Sequence, residues 1–231
     1  MVSNKTLFIN YIYILQMEEI TLKKMKLPTN KPNYYVGIKE GAFFDLCKAQ
    51  EKNLSAVSTS GLSGCVAIPI YIKDDKKSYL FLSHIESDLS LDKVNDQIEQ
   101  IKDTIASYLP GFDYDDDYFE ISIFVVGNQF GSLGKSRTNM SLGPMIVNNI
   151  TERLKKTNTK CYVVDARAVA FIIEDSKVKL VEPDQKGGVE KLTYFGERHA
   201  GYGDSVSPND DPDDNPYKYT CIDRNLEFLN L

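Results

Sequence analysis

The chain has 231 residues, 42% of them hydrophobic and 26% charged, and a formal net charge of -6 at pH 7. That composition suits a globular protein with a sizeable core, neither disordered nor fibrous. It disfavours nucleic acid and anionic lipid as partners, and no stretch approaches the ~20 apolar residues of a membrane-spanning helix.

In chain order, residues 1–37 read as an N-terminal extension and irregular lead-in to a single domain over residues 38–231. The run Leu7 to Leu15 is apolar like a signal-peptide core, but it contains Asn10 and no small-residue cleavage site follows. An edge strand, or sequence upstream of a start at Met17 or Met25, is the plainer account. Lys23-Lys24-Met25-Lys26 reads as solvated surface. Pro28, Pro32 and Gly37 make residues 27–37 irregular, after which Phe43, Phe44, Leu46 and Cys47 fall at helical spacing within Ile38 to Lys52, placing Cys47 in the core. Next, Cys65 to Lys73 and Ser78 to Glu86 flank Asp74-Asp75-Lys76-Lys77 and predict a hairpin. Pro69 demotes its first arm to an edge or bulged strand. A two-residue loop centred on Asp75 and Lys76 sets residue 67 opposite residue 84.

Ser90 then caps a helix whose Leu91, Val94, Ile98, Ile101, Ile105 and Tyr108 recur every three or four residues until Pro110 and Gly111 end it. Beyond an acidic turn, Tyr118 to Gly127 reads as a strand. Leu142 to Lys156 reads as a second helix, closed by Arg153, Lys155 and Lys156. Three strands follow at Lys160 to Asp165, Ala168 to Glu174 and Lys177 to Glu182, and the aspartate- and proline-rich Ser205 to Pro216 is a surface loop. Strands outnumber helices and occur in hairpins, so the expected fold is α/β, a mixed β-sandwich with flanking helices.

Few residues point to chemistry. Cysteines at 47, 65, 161 and 221 form no CxxC pair and no metal-ligand spacing, which favours thiols over a disulfide scaffold or a zinc site. Gly131-Ser132-Leu133-Gly134-Lys135-Ser136 approaches a phosphate-binding loop, but position 129 is Gln rather than Gly and no helix begins at the lysine. Asp113 to Asp117 and Asp210 to Asp214 lack the ligand spacing of a calcium loop and read as solvated turns. What remains is Cys65 and one of only two histidines, His84, on opposite arms of the hairpin, with Thr59 upstream. Ser63 and Gly64 place small side chains before the thiol, so backbone N–H groups there can meet an oxyanion. A nucleophile, its base and the base's orienter is one account; a buried cysteine and a core histidine is the other. His199, in a glycine-rich setting, is the remaining candidate base.

The run Thr59-x-x-Leu62-Ser63-Gly64-Cys65, followed by a strand ending His84-Ile85-Glu86, resembles the motif region of bacterial glutamine deamidase toxins: the Burkholderia lethal factor and, more distantly, the cytotoxic necrotizing factor catalytic domain and the chemotaxis deamidase CheD. The resemblance covers residues 59–86, with a longer Cys-to-His distance here. It implies Cys65 as nucleophile, His84 as base and Thr59 in support, and a thioester route needing no metal or cofactor. It also implies a folded host protein as substrate, a translation initiation helicase or a Rho-type GTPase being the kind of target such toxins have, and delivery of a bacterial protein to the host cytosol. The same Cys-His pair also suits a protease or transglutaminase, and a non-catalytic binding module needs neither residue reactive.

Overall fold

A computed structural model of the chain describes residues 18–28, 33–86, 90–109, 112, 118–127, 146, 149–150, 159–174, 177–184 and 218–221. The hairpin at its centre forms where the sequence puts it. β6 (Val66–Lys73) and β7 (Ser78–Ile85) pair antiparallel, and Asp74 closes the turn by accepting from the amides of Lys76 and Lys77 at 2.7 and 2.6 Å. Ala67 lies opposite His84, as the loop count predicts.

Pro69 does not drive β6 to an edge. The strand is central, flanked by β7 and by β8 (Glu120–Val126). Its pairing with β7 is unbroken, whereas pairing with β8 runs from Ala67–Val126 directly to Ile70–Ile123 in unchanged register. The missing proline N–H is therefore absorbed as a local gap in one ladder, without a bulge.

A large sheet grows outward from this hairpin. β9 (Thr159–Val164) and then β1 (Glu18–Ile20) add beyond β8; β4 (Glu40–Asp45) and then β12 (Lys218–Cys221) add beyond β7, giving the order β1-β9-β8-β6-β7-β4-β12. A smaller sheet runs β2 (Lys24–Met25), β11 (Lys177–Pro183), β10 (Ala168–Glu174), β5 (Ala56–Ser60), β3 (Asn33–Tyr35). Residues before 38 thus supply β1, β2 and β3, each parallel to its neighbour. The expected irregularity of 27–37 is corrected at β3, whose backbone groups are taken up by β5 despite the flanking prolines.

Alternation along the strands builds two cores, because successive side chains leave opposite faces of a sheet. Phe44, Leu80, Leu82, Val126 and Val164 face the small sheet and meet Val57, Val169 and Phe171. Phe43, Ile70, Phe81 and Ile85 face the other way, onto Val94, Ile98, Ile101 and Ile105 of α2 (Leu91–Tyr108), each fully buried and contributing roughly 1.5–3 kcal/mol. Ser90 caps that helix, its Oγ accepting from the Lys93 amide at 3.4 Å. A long helix on the outer face of the large sheet of a two-sheet sandwich gives the mixed α/β architecture read from the sequence.

The helix expected over Ile38 to Lys52 is corrected: it is β4 followed by the six-residue α1 (Leu46–Glu51). Phe43 and Phe44 are adjacent yet both buried because β4 has core on each face, and that doubly buried run mimics helical clustering. Asp45 starts α1 by accepting from the amides of Cys47 and Lys48 at 3.0 and 3.3 Å. Cys47 is half-buried rather than core. Within the predicted helix Leu142 to Lys156, Ile146, Asn149 and Ile150 are helical and buried; its remaining residues lie outside those described, as do Leu7 to Leu15, Asp113 to Asp117, Gly131 to Ser136, His199 and Ser205 to Pro216. Among the described residues no helix is long and apolar enough to cross a membrane, and no group of metal-ligating side chains gathers.

Candidate active site

Thr59 comes from β5, a strand with no sequence signal of its own. Its Val57 packs into the inter-sheet core, so by alternation Thr59 faces the large sheet as well. On β7, Leu80 and Leu82 face the small sheet, and His84 follows them. Both side chains are fully buried, and they meet: Thr59 Oγ1 lies 2.7 Å from His84 Nδ1.

The protons of this contact can be counted. Thr59 Oγ1 donates to the carbonyl of Val36 at 2.8 Å. A hydroxyl has one proton, and with that proton on Val36 it can only accept from the imidazole. Nδ1 therefore carries the hydrogen, which leaves Nε2 as a bare lone pair. Nε2 is itself buried with no hydrogen-bond partner among the described residues. Burial also holds the ring neutral, because desolvation disfavours the imidazolium and pushes the pKa of His84 down from 6.5 to about 4.

Cys65 immediately precedes β6. It is half-buried against the inter-sheet core and stands two residues before Ala67, the residue paired with His84. Cys65 and His84 are thus diagonal neighbours, a relation that separates residues by about 7–8 Å in a regular sheet and leaves a side chain able to reach across. The turn Leu62–Gly64 delivers it. Gly61 takes φ 82°, a left-handed conformation open to glycine at no steric cost, and Leu62 anchors the turn through its buried side chain and its amide, which donates to the Arg167 carbonyl at 3.0 Å. Ser63 is exposed and Gly64 half-buried.

The segment 36–40 closes this end of the sandwich, and only the structure identifies it. Val36 supplies the carbonyl that fixes Thr59, and Lys39 donates its amide to the His84 carbonyl at 3.0 Å. Lys39 Nζ also makes an ion pair at 3.1 Å with Glu86. A backbone carbonyl and a turn lysine leave no pattern in sequence, so neither had a signal to find. Of the residues read from sequence, Thr59 and His84 are in contact and Cys65 is diagonal to the imidazole, with Ser63 and Gly64 in the turn before it.

No protein-family model matches the chain, and no curated protein matches it. Among solved structures it is similar to the C-terminal domain of CNFy from Yersinia pseudotuberculosis, with a TM-score of 0.30 and 13% identity. The match covers 64% of this chain and 54% of that one, so the chain spans about half the length of the structure it matches.

Proposed function

We propose that the protein is a glutamine deamidase that converts a side-chain carboxamide of a folded host protein to a carboxylate, with Cys65 as nucleophile and His84 as base. The observation that carries this is the Val36–Thr59–His84 relay, with its bonds of 2.8 and 2.7 Å and an Nε2 that has no partner among the described residues, on the face shared with Cys65. A histidine serving only as a satisfied core residue has no need of a fixed tautomer whose free nitrogen is left without a partner. The motif resemblance over residues 59–86 supports the same assignment.

In the reaction, Nε2 takes the Cys65 proton as the sulfur attacks the amide carbon. The ring's low pKa makes a resting thiolate–imidazolium pair unfavourable, so proton transfer accompanies attack. Backbone N–H groups around Ser63 to Cys65 receive the oxyanion. His84 returns the proton to the departing nitrogen, ammonia leaves, and a thioester remains. Water deprotonated by Nε2 then attacks the thioester, giving glutamate and free thiol. The balance is one water in and one ammonia out, with no redox change.

The test is peptide mapping by mass after incubation with a host lysate. Conversion of one glutamine in one or a few proteins, absent with Cys65→Ala, is the expected result. Backbone cleavage indicates a protease, and amine incorporation a transglutaminase. The full burial of His84 favours one second reading, a non-catalytic module; a Cys65 no more reactive than Cys161, buried on the opposite face of the large sheet, would establish it.

A further inference from the structure

Lys39 occupies a position that suits glycine better than lysine. It has φ 63°, in the turn where the Glu40 amide donates to the Gly37 carbonyl at 3.2 Å. Among the described residues only Asn53 shares such a φ without being glycine, and asparagine tolerates it readily. An outlier of this kind next to a candidate site calls for an explanation from what the side chain does.

The side chain reaches Glu86. Glu86 stands two residues beyond His84; the β6–β7 ladder ends at the pair Val66–Ile85, and Cys65 and Glu86 are the next residue on each strand. The Lys39–Glu86 pair is mostly sheltered, with side chains 16% and 27% exposed, so water screens it less than an open surface pair. Other charged groups near the motif turn are Asp165 and Arg167, on the β9–β10 connection, and both are exposed.

We propose that Lys39 is a positioning residue for the thiol–imidazole pair: its amide fixes the strand end carrying His84, and its ammonium balances the Glu86 carboxylate at the mouth of the β6–β7 ladder, where Cys65 enters β6. The proposal rests on Cys65 being the nucleophile. A carboxylate at the same strand end as a thiol opposes the thiolate, and a cation held against that carboxylate removes most of the opposition. Lysine in a left-handed turn is then explained as the residue that delivers charge where glycine would satisfy the backbone alone.

Alkylation of Cys65 by iodoacetamide, read at its own peptide by mass across the pH range in which a thiol titrates, tests this without any substrate. Lys39→Gly is the informative variant, because glycine accepts the same φ and the fold is protected. Its alkylation midpoint should rise by about one pH unit relative to wild type. Lys39→Gly combined with Glu86→Gln should bring it back. A Lys39→Gly profile that overlays the wild type, or a double variant that fails to restore it, overturns the proposal, since a purely structural lysine moves neither. His84→Gln separates this from the deamidase assignment. If it leaves Cys65 alkylation unchanged while Lys39→Gly shifts it, the base is misassigned and the charge balance stands; the reverse pattern keeps the base and removes the role of Lys39.

Discussion

Replacing Thr59 with valine keeps the shape of the side chain and deletes only the oxygen that links Val36 to His84. The Thr59 side chain is fully buried and valine fills its place, so two groups lose this partner at once with no room for a water to replace it: the Val36 carbonyl and the Nδ1–H of His84. Each such loss costs about 1–3 kcal/mol, so the variant should be about 2–6 kcal/mol less stable, measurable as a lowered urea midpoint with unchanged slope. Thr59→Ser keeps the oxygen and gives up one buried methyl, a loss of about 1 kcal/mol. The chemical consequence is separable from the energetic one. Without the hydroxyl, nothing selects the Nδ1–H tautomer, and part of the population moves the proton to Nε2, where it blocks base function. Nitrogen-15 ring spectra read this directly, and with two histidines in the chain there are two ring systems to assign. Wild-type His84 should show Nδ1 protonated and Nε2 bare. A wild-type spectrum with the proton on Nε2, or a Thr59→Val protein as stable as Thr59→Ser, would refute the proton count.

Cys65→Ala should abolish glutamine conversion at a stability loss of about 1 kcal/mol, since a half-buried thiol contributes little packing; residual turnover in that variant rules out the thioester route. His84 makes stability depend on pH with a definite sign. Because burial holds its pKa at about 4 against 6.5, the unfolded chain binds the extra proton between those values; this contribution is fully present above about pH 6.5 and is lost as pH falls toward 4, for a total of about 3 kcal/mol. His84→Gln should lack that component, so the wild-type minus variant stability difference, followed by urea unfolding from neutral to acid pH, should shrink; a constant difference contradicts the desolvated imidazole. Free glutamine should be turned over far more slowly than a glutamine in a folded target, because a site that accepts a side-chain amide while sparing peptide bonds favours a glutamine its own fold presents. Ammonia release compared between the two substrates decides it, and added chelator should change neither rate.

The hairpin and α2 were legible because each carries a single period. Asp74 to Lys77 gives the turn, counting from it faces residue 67 to His84, and the repeat from Leu91 to Tyr108 has one apolar stripe. β4 misled because a strand buried on both faces carries no alternation, so Phe43 and Phe44 resembled a helix. β5 went unseen for the opposite reason: Ser58, Thr59 and Ser60 look like a loop, and only the sandwich makes their burial sensible. Pro69 reads as an edge signal because a lost donor normally needs solvent, whereas here the gap is confined to two positions of one ladder. At the site, Cys65 and His84 were visible as side chains of the right chemistry. Val36 bonds through a carbonyl, which residue type does not encode, and Lys39 sits at a positive φ that a lysine does not announce.

The two halves of the relay are also separated in folding order. Ala67 meets His84 across one short hairpin, among the most local contacts in the chain, while Thr59 reaches His84 only when the small sheet seats on the large one. That seating depends on distant strands, β10 beside β5 and β11 beside β2, the latter pair joining residues 24–25 to residues 182–183. Local pairings form early, and those that close long loops form late. A partly folded molecule therefore already holds thiol and imidazole on neighbouring strands, yet its ring proton is free to choose either nitrogen. On the proposed assignment base function comes with the last long-range contacts, and the imidazole tautomer then reports whether the sandwich has closed.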